Sequence, residues 1–152
     1  MTGTALRFLV INGPNLNLLG KREPGVYGAA TLMDVEKRVR DRAAELDCDV
    51  DFRQSNFEGE IIGWLHEAGE GSQFDAVIMN PGAFTHYSYA IRDAISGARV
   101  RLYEVHISNV HLREEFRHRS VISAVAAGVI AGMGTIGYEL ALEAAVRGTR
   151  VE

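Results

Sequence analysis

LRFLVIN, residues Leu6 to Asn12, runs straight into Gly13 and Pro14. Seven residues rich in aliphatic and aromatic side chains, cut off by two turn formers, read as a buried β-strand. The pattern returns at Asp75 to Asn80 (DAVIMN), which stops at Pro81 and Gly82. Between and beyond these two runs, strand-length and helix-period segments alternate. Thr31 to Leu46 sets Leu32, Val35, Val39, Ala43 and Leu46 three or four apart, one face of a helix, with Thr31 as N-cap and Asp34 in the first turn. Val50 to Gln54 reads as a second strand, and Glu58 to Ala68 as a helix with Ile61, Ile62, Leu65 and Ala68 on one face. Tyr87 to Ser96 reads as the next helix, and Arg99 to Ile107 (RVRLYEVHI) as a fourth strand. Ala126 to Ala131 is short and almost wholly apolar, which suits a fifth strand covered on both faces. Ile136 to Arg147 closes the series as an amphipathic helix.

Five such alternations specify an α/β protein with an open parallel sheet and helices on both faces. The expected architecture is a flavodoxin-like three-layer sandwich with strand order 2-1-3-4-5, residues 1–152 forming one domain. Ligands of such sheets sit beyond the carboxyl ends of the strands. The polar clusters lie there: Asn12-Gly13-Pro14-Asn15 after strand one, Asn80 to His86 after strand three, and Glu104 to Asn109 across the end of strand four. One site assembled from three loops is predicted.

Residues 13–30 show neither helical nor strand period, and loops beyond about 12–15 residues are usually functional. Within them Lys21 to Gly28 (KREPGVYG) reads as a lid, at about residues 20–28, carrying Arg22 and Tyr27 over the site. The glycines at 128, 132, 134 and 137 read as permitting close packing of the last helix on the sheet.

The chain has 152 residues, 47% hydrophobic and 24% charged, and a formal net charge of −4. Without a basic block, nucleic acid is not an expected partner. The one cysteine, Cys48, excludes an internal disulfide and reads as a small residue entering a strand. No run approaches the ~18 apolar residues of a membrane span, and no signal peptide is recognisable, so a cytoplasmic protein is expected. The five histidines show no HExxH spacing, and no phosphate-binding GxxxxGK[ST] or nucleophile-elbow GxSxG occurs. Neither a metal nor a cofactor is expected.

Glu104 and His106 are two apart in a strand and therefore share a face. A carboxylate that orients an imidazole suits a general acid, although a plain ion pair at a strand end has the same spacing. Backbone N–H groups at Ile107 and Ser108 suit a substrate carboxylate, and Arg117, beside His118 and Arg119, adds positive charge. A free phenol ionises near pH 10; a guanidinium beside Tyr27 would bring it toward the working range of a base.

Taken together, INGPNLNLLGKREPGVYG (Ile11 to Gly28), RQSNFEGEIIGWLH (Arg53 to His66), NPGAFTHYSYAIRDA (Asn80 to Ala94), EVHISNVHLREEFRHRS (Glu104 to Ser120) and GVIAGMGTIGYELAL (Gly128 to Leu142) resemble type II 3-dehydroquinate dehydratases. The resemblance implies Tyr27 as base, Arg22 lowering its pKa, and Asn15 holding a water against an enolate. His106, oriented by Glu104, would protonate the departing hydroxyl, giving 3-dehydroshikimate by anti elimination without Schiff base or cofactor. It assigns Asn80, Ile107 and Ser108 to the substrate carboxylate, and His86 and Arg117 to ring hydroxyls, joined by Asp93 of a neighbouring subunit. It also implies a homo-oligomer, a dodecamer built from trimers. Pro81, Arg119, Val121 and Ala124 depart from the family's usual residues, which bears on the hydroxyl-binding side and the subunit contact rather than the reaction.

A non-catalytic flavodoxin-like module is the competing reading. A phosphoacceptor receiver needs acidic strand ends, where Asn12 and Asn80 stand instead; a flavin binder needs a phosphate-cradling loop where Pro14 and two leucines occur. An inactive scaffold paralogue would be expected to have lost a catalytic position.

Overall fold

The computed structural model describes residues 5–21 and 23–151, without the side chains of Pro24 and Tyr27. Five parallel strands, β1 (Leu6–Asn12), β2 (Cys48–Gln54), β3 (Ala76–Asn80), β4 (Leu102–His106) and β5 (Gly128–Ala131), form one sheet in the order β2-β1-β3-β4-β5. The connecting helices are α1 (Pro24–Tyr27), α2 (Leu32–Glu45), α3 (Glu58–Glu67), α4 (Tyr89–Gly97) and α5 (Ile136–Val151).

The two-residue period of β1 divides the core. Phe8 and Val10 face one layer, where they meet Val35, Val39 and Ala43 of α2 and Tyr138, Ala141, Leu142, Ala145 and Val146 of α5. Leu9 and Ile11 face the other, against Ile61 and Leu65 of α3 and Ile91 and Ile95 of α4. Both faces are thus dry, which is why β1 and β3 read as unbroken apolar runs. The α2 start is as expected: Thr31 accepts from the Asp34 backbone while Asp34 accepts from that of Thr31, a capping box.

Several boundaries differ from the sequence reading. β2 begins earlier, at Cys48, which is buried as its first residue. β4 begins at Leu102 rather than Arg99, because Arg99 turns the chain with φ at 53°. Ser88 caps α4 by accepting from the Ile91 N–H, so that helix starts at Tyr89. α5 runs on to Val151. β5 is not covered on both faces within the chain: it is the sheet's edge, with Val129 half exposed, so its apolar composition does not report burial here. The segment after β1 is not wholly irregular. A 3-10 turn at Leu16–Leu18 and the core packing of Leu16 and Leu19 anchor its first half.

Of the late glycines, Gly137 fits the close-packing expectation, since a Cβ there would press on Val105 and Ile130 side chains. Gly132 and Gly134 instead supply positive φ for the turn after β5.

Candidate active site

Two loops are pressed together at the carboxyl end of the sheet. The Gly13 N–H donates to the Asn80 carbonyl at 2.8 Å, and a Cβ on Gly13 would lie 2.4 Å from the Pro81 oxygen. Gly82, at φ 59°, lies against Pro14 in return. Glycine at both positions is what lets the β1 and β3 loops share one cavity wall.

That cavity, about 230 Å³, is lined by Asn15, Asn80, His86, His106, Ile107, Ser108 and Arg117, together with Arg113. Seven of the eleven residues singled out from sequence therefore converge. Of the rest, Glu104 lies behind His106. Asp93 lies exposed on α4, away from the cavity of its own chain. Arg22 and the side chain of Tyr27 lie outside the described residues. Tyr27 is the last residue of α1, and Glu23, just before that helix, pairs with the cavity residue Arg113 at 3.7 Å.

Glu104 is fully buried. It accepts from Thr85 Oγ1 at 2.6 Å, Ser123 Oγ at 2.6 Å and Ser120 Oγ at 2.9 Å, and it bonds His106 Nε2. Ser120 Oγ itself accepts the backbone N–H groups of Ile122 and Ser123, which leaves its hydrogen to donate. Burial alone would push the Glu104 carboxyl up. The hydrogen bond and charge of His106, with the Ser123 and Thr85 hydroxyls, outweigh it and hold the pKa at about 2. An ionised, acceptor-only Glu104 fixes Nε2 of His106 as a donor and leaves Nδ1 as the ring nitrogen not taken by the carboxylate.

His86 lies nearly parallel to His106, ring centroids 6.5 Å apart. Its Nδ1 donates to the Arg119 carbonyl at 2.8 Å. Burial pushes its pKa below the usual imidazole value against the pull of that carbonyl, and the neighbouring His106 and Arg117 act with burial. A neutral His86 with hydrogen on Nδ1 presents Nε2 as an acceptor. Arg117 is held by Glu114 at 2.9 Å and lies over the Phe116 ring. Asn15 takes a left-handed φ of 68°, and its N–H donates to Asn56 Oδ1 at 2.9 Å.

A larger hollow, about 600 Å³, opens at the opposite end of the sheet between β1, β2 and α2. Its arginines are already engaged: Arg7 pairs with Asp51 at 3.0 Å, and Arg40 donates to the Val50 carbonyl. Size favours it; chemistry favours the smaller cavity.

The model of the family Dehydroquinase class II matches residues 6–146. The chain belongs to the class II dehydroquinases. That membership makes it an enzyme of the type II 3-dehydroquinate dehydratase kind. Among related dehydroquinases, the 3-dehydroquinate dehydratase of Brucella canis is 57% identical over 135 residues, 89% of this chain and 85% of that one. The type II dehydroquinase of Propionibacterium acnes superposes with a TM-score of 0.88 at 44% identity, covering 95% of this chain and 99% of that one. That of Butyrivibrio crossotus gives 0.90 at 44% identity, covering 94% and 99%.

Reasoning from the sequence missed Arg113 in this dehydroquinase. Its spacing was a usable signal: HLREEFR places Arg113 and Arg117 four apart around two glutamates. The hydroxyls around Glu104 carried no local signal, because they arrive from loops 16 and 19 residues away.

Proposed function

We propose that the chain dehydrates 3-dehydroquinate to 3-dehydroshikimate by anti elimination through an enolate. Tyr27, its pKa lowered by Arg22, takes a proton from the carbon beside the ring ketone. The C–H electron pair moves into the enolate, which a water held by Asn15 stabilises by hydrogen bonding. The enolate then expels the hydroxyl, which leaves as water on accepting a proton from His106. Glu104 orients the imidazole. The acid, the base and the groups that orient them are side chains of the protein, joined by that one water, so the route uses neither Schiff base nor cofactor.

Asn80 and the backbone of Ile107 and Ser108 hold the substrate carboxylate, while Arg117 and the acceptor Nε2 of His86 engage ring hydroxyls. Asp93 completes the site from a neighbouring protomer in a trimer, and trimers associate into a dodecamer in the cytoplasm. No helix among the described residues is long and apolar enough to cross a membrane.

The observation that carries this reading is the ionised Glu104 bonded to His106 at the wall of a cavity that also holds Asn15 and Asn80. An ultraviolet assay on the purified protein tests it. Adding 3-dehydroquinate, without metal or nucleotide, should produce the absorbance of a conjugated enone; a flat trace under those conditions refutes it.

A further inference from the structure

A hydrogen-bonded chain of five residues crosses the core beneath the cavity, and one of them, Tyr138, has no part in the reaction as described. Asn12 ends β1 and Asn80 ends β3, and the two are partners in register. Tyr138 comes from α5 and is fully buried.

The direction of every bond in the chain follows from what each group is able to do. The Arg53 carbonyl can only accept, so Asn12 turns Nδ2 to it, at 3.0 Å. Asn12 Oδ1 then faces the Tyr138 hydroxyl at 2.7 Å, and an amide oxygen only accepts, so the phenol's single hydrogen goes there. Toward Asn80, 2.9 Å away, the phenol oxygen is left as an acceptor, which requires Asn80 to present Nδ2. From the other side the Gly82 N–H can only donate, and its 3.1 Å bond requires Asn80 Oδ1. Both ends demand the same orientation of the Asn80 amide. One Nδ2 hydrogen is committed to Tyr138, and the second remains for the cavity that Asn80 lines.

We infer that Tyr138 is a positioning residue for the substrate carboxylate: its hydroxyl locks the Asn80 amide so that an N–H, never the carbonyl oxygen, faces the anion. The inference rests on the reading of Asn80 as a carboxylate ligand. A flipped amide would set an oxygen lone pair against a carboxylate, turning a charge-assisted hydrogen bond into repulsion. The lock acts on binding alike in ground and transition states, so it belongs in KM rather than kcat.

Steady-state kinetics of Tyr138→Phe, Asn80→Ala and the double variant test this. Tyr138→Phe should raise KM for 3-dehydroquinate about tenfold, the scale of one hydrogen bond to a charged group, with kcat within about twofold. Asn80→Ala should raise KM at least as far, and the double variant no further than Asn80→Ala alone. An unchanged KM in Tyr138→Phe, beside a raised KM in Asn80→Ala, overturns the role of Tyr138 while sparing Asn80. An unchanged KM in Asn80→Ala removes Asn80 from the carboxylate site and the inference with it. A fall in kcat alone, or additive effects in the double variant, also overturns it. Should Tyr138→Phe not fold, Asn12→Ala takes its place: without the acceptor that directs the phenol hydrogen, the same rise in KM is expected, and an unmoved KM refutes the lock.

Discussion

Glu104 shows how a single residue can be legible in sequence while its environment is not. Its pairing with His106 follows from the two-residue period of a strand, since i and i+2 must share a face. The three hydroxyls that bond it are set by tertiary structure, through Thr85 of the β3 loop and Ser120 and Ser123 of the segment before β5, and those of Ser123 and Thr85 join His106 in keeping it ionised. Glu104→Gln keeps the volume but brings an NH2 group among neighbours that are all donors. The turnover number should fall by about 10²-fold or more, the range of general acid catalysis. Acid stability should change as well. A carboxyl held at about 2 against an ordinary 4.5 contributes stability that is full above the ordinary value and is lost as pH falls toward 2. Wild-type unfolding free energy should therefore drop more steeply than that of Glu104→Gln between about pH 5 and pH 2. Parallel curves in denaturant titrations, or undiminished turnover, would remove Glu104 from this role.

At the scale of elements, the strands were readable, and their ends were readable only where a turn former marked them. β1 and β3 were framed by apolar runs and Gly-Pro or Pro-Gly stops, so the limits of β1 and the carboxyl end of β3 matched. β4 was misjudged at its start because nothing local marks Arg99 as left-handed, and β5 looked interior because an edge strand can be as apolar as a central one. The convergence of the β1 and β3 loops was expected, but the close glycine contact that presses them together was not. Gly13→Ala tests that contact directly, because its methyl would enter the space of the Pro81 carbonyl, leaving backbone to move. A cost of about 1–3 kcal/mol in unfolding free energy is expected, together with reduced kcat/KM as Asn15 and Asn80 are driven apart. Wild-type stability and activity in this variant would show that the loops have slack.

For the whole molecule, strand order followed from the rhythm of elements, since right-handed crossovers leave few ways to pass from β1 to β3. The order puts Asn15, Asn80 and His106, far apart in the chain, at one end of the sheet. A lid was expected from the missing period of residues 13–30, whereas the roles of Tyr27 as base and of Asp93 across a subunit contact came only from family resemblance, because they depend on partners that no local spacing reveals. The central claim is a division of labour across this cavity, base on the lid and acid on β4. Proton NMR of 3-dehydroquinate in D2O, with His106→Ala and Tyr27→Phe compared, tests it most directly. With the acid removed, His106→Ala should still exchange the hydrogen beside the ketone for deuterium while forming almost no product, and Tyr27→Phe should do neither. Exchange that persists in Tyr27→Phe and vanishes in His106→Ala would contradict the assignment.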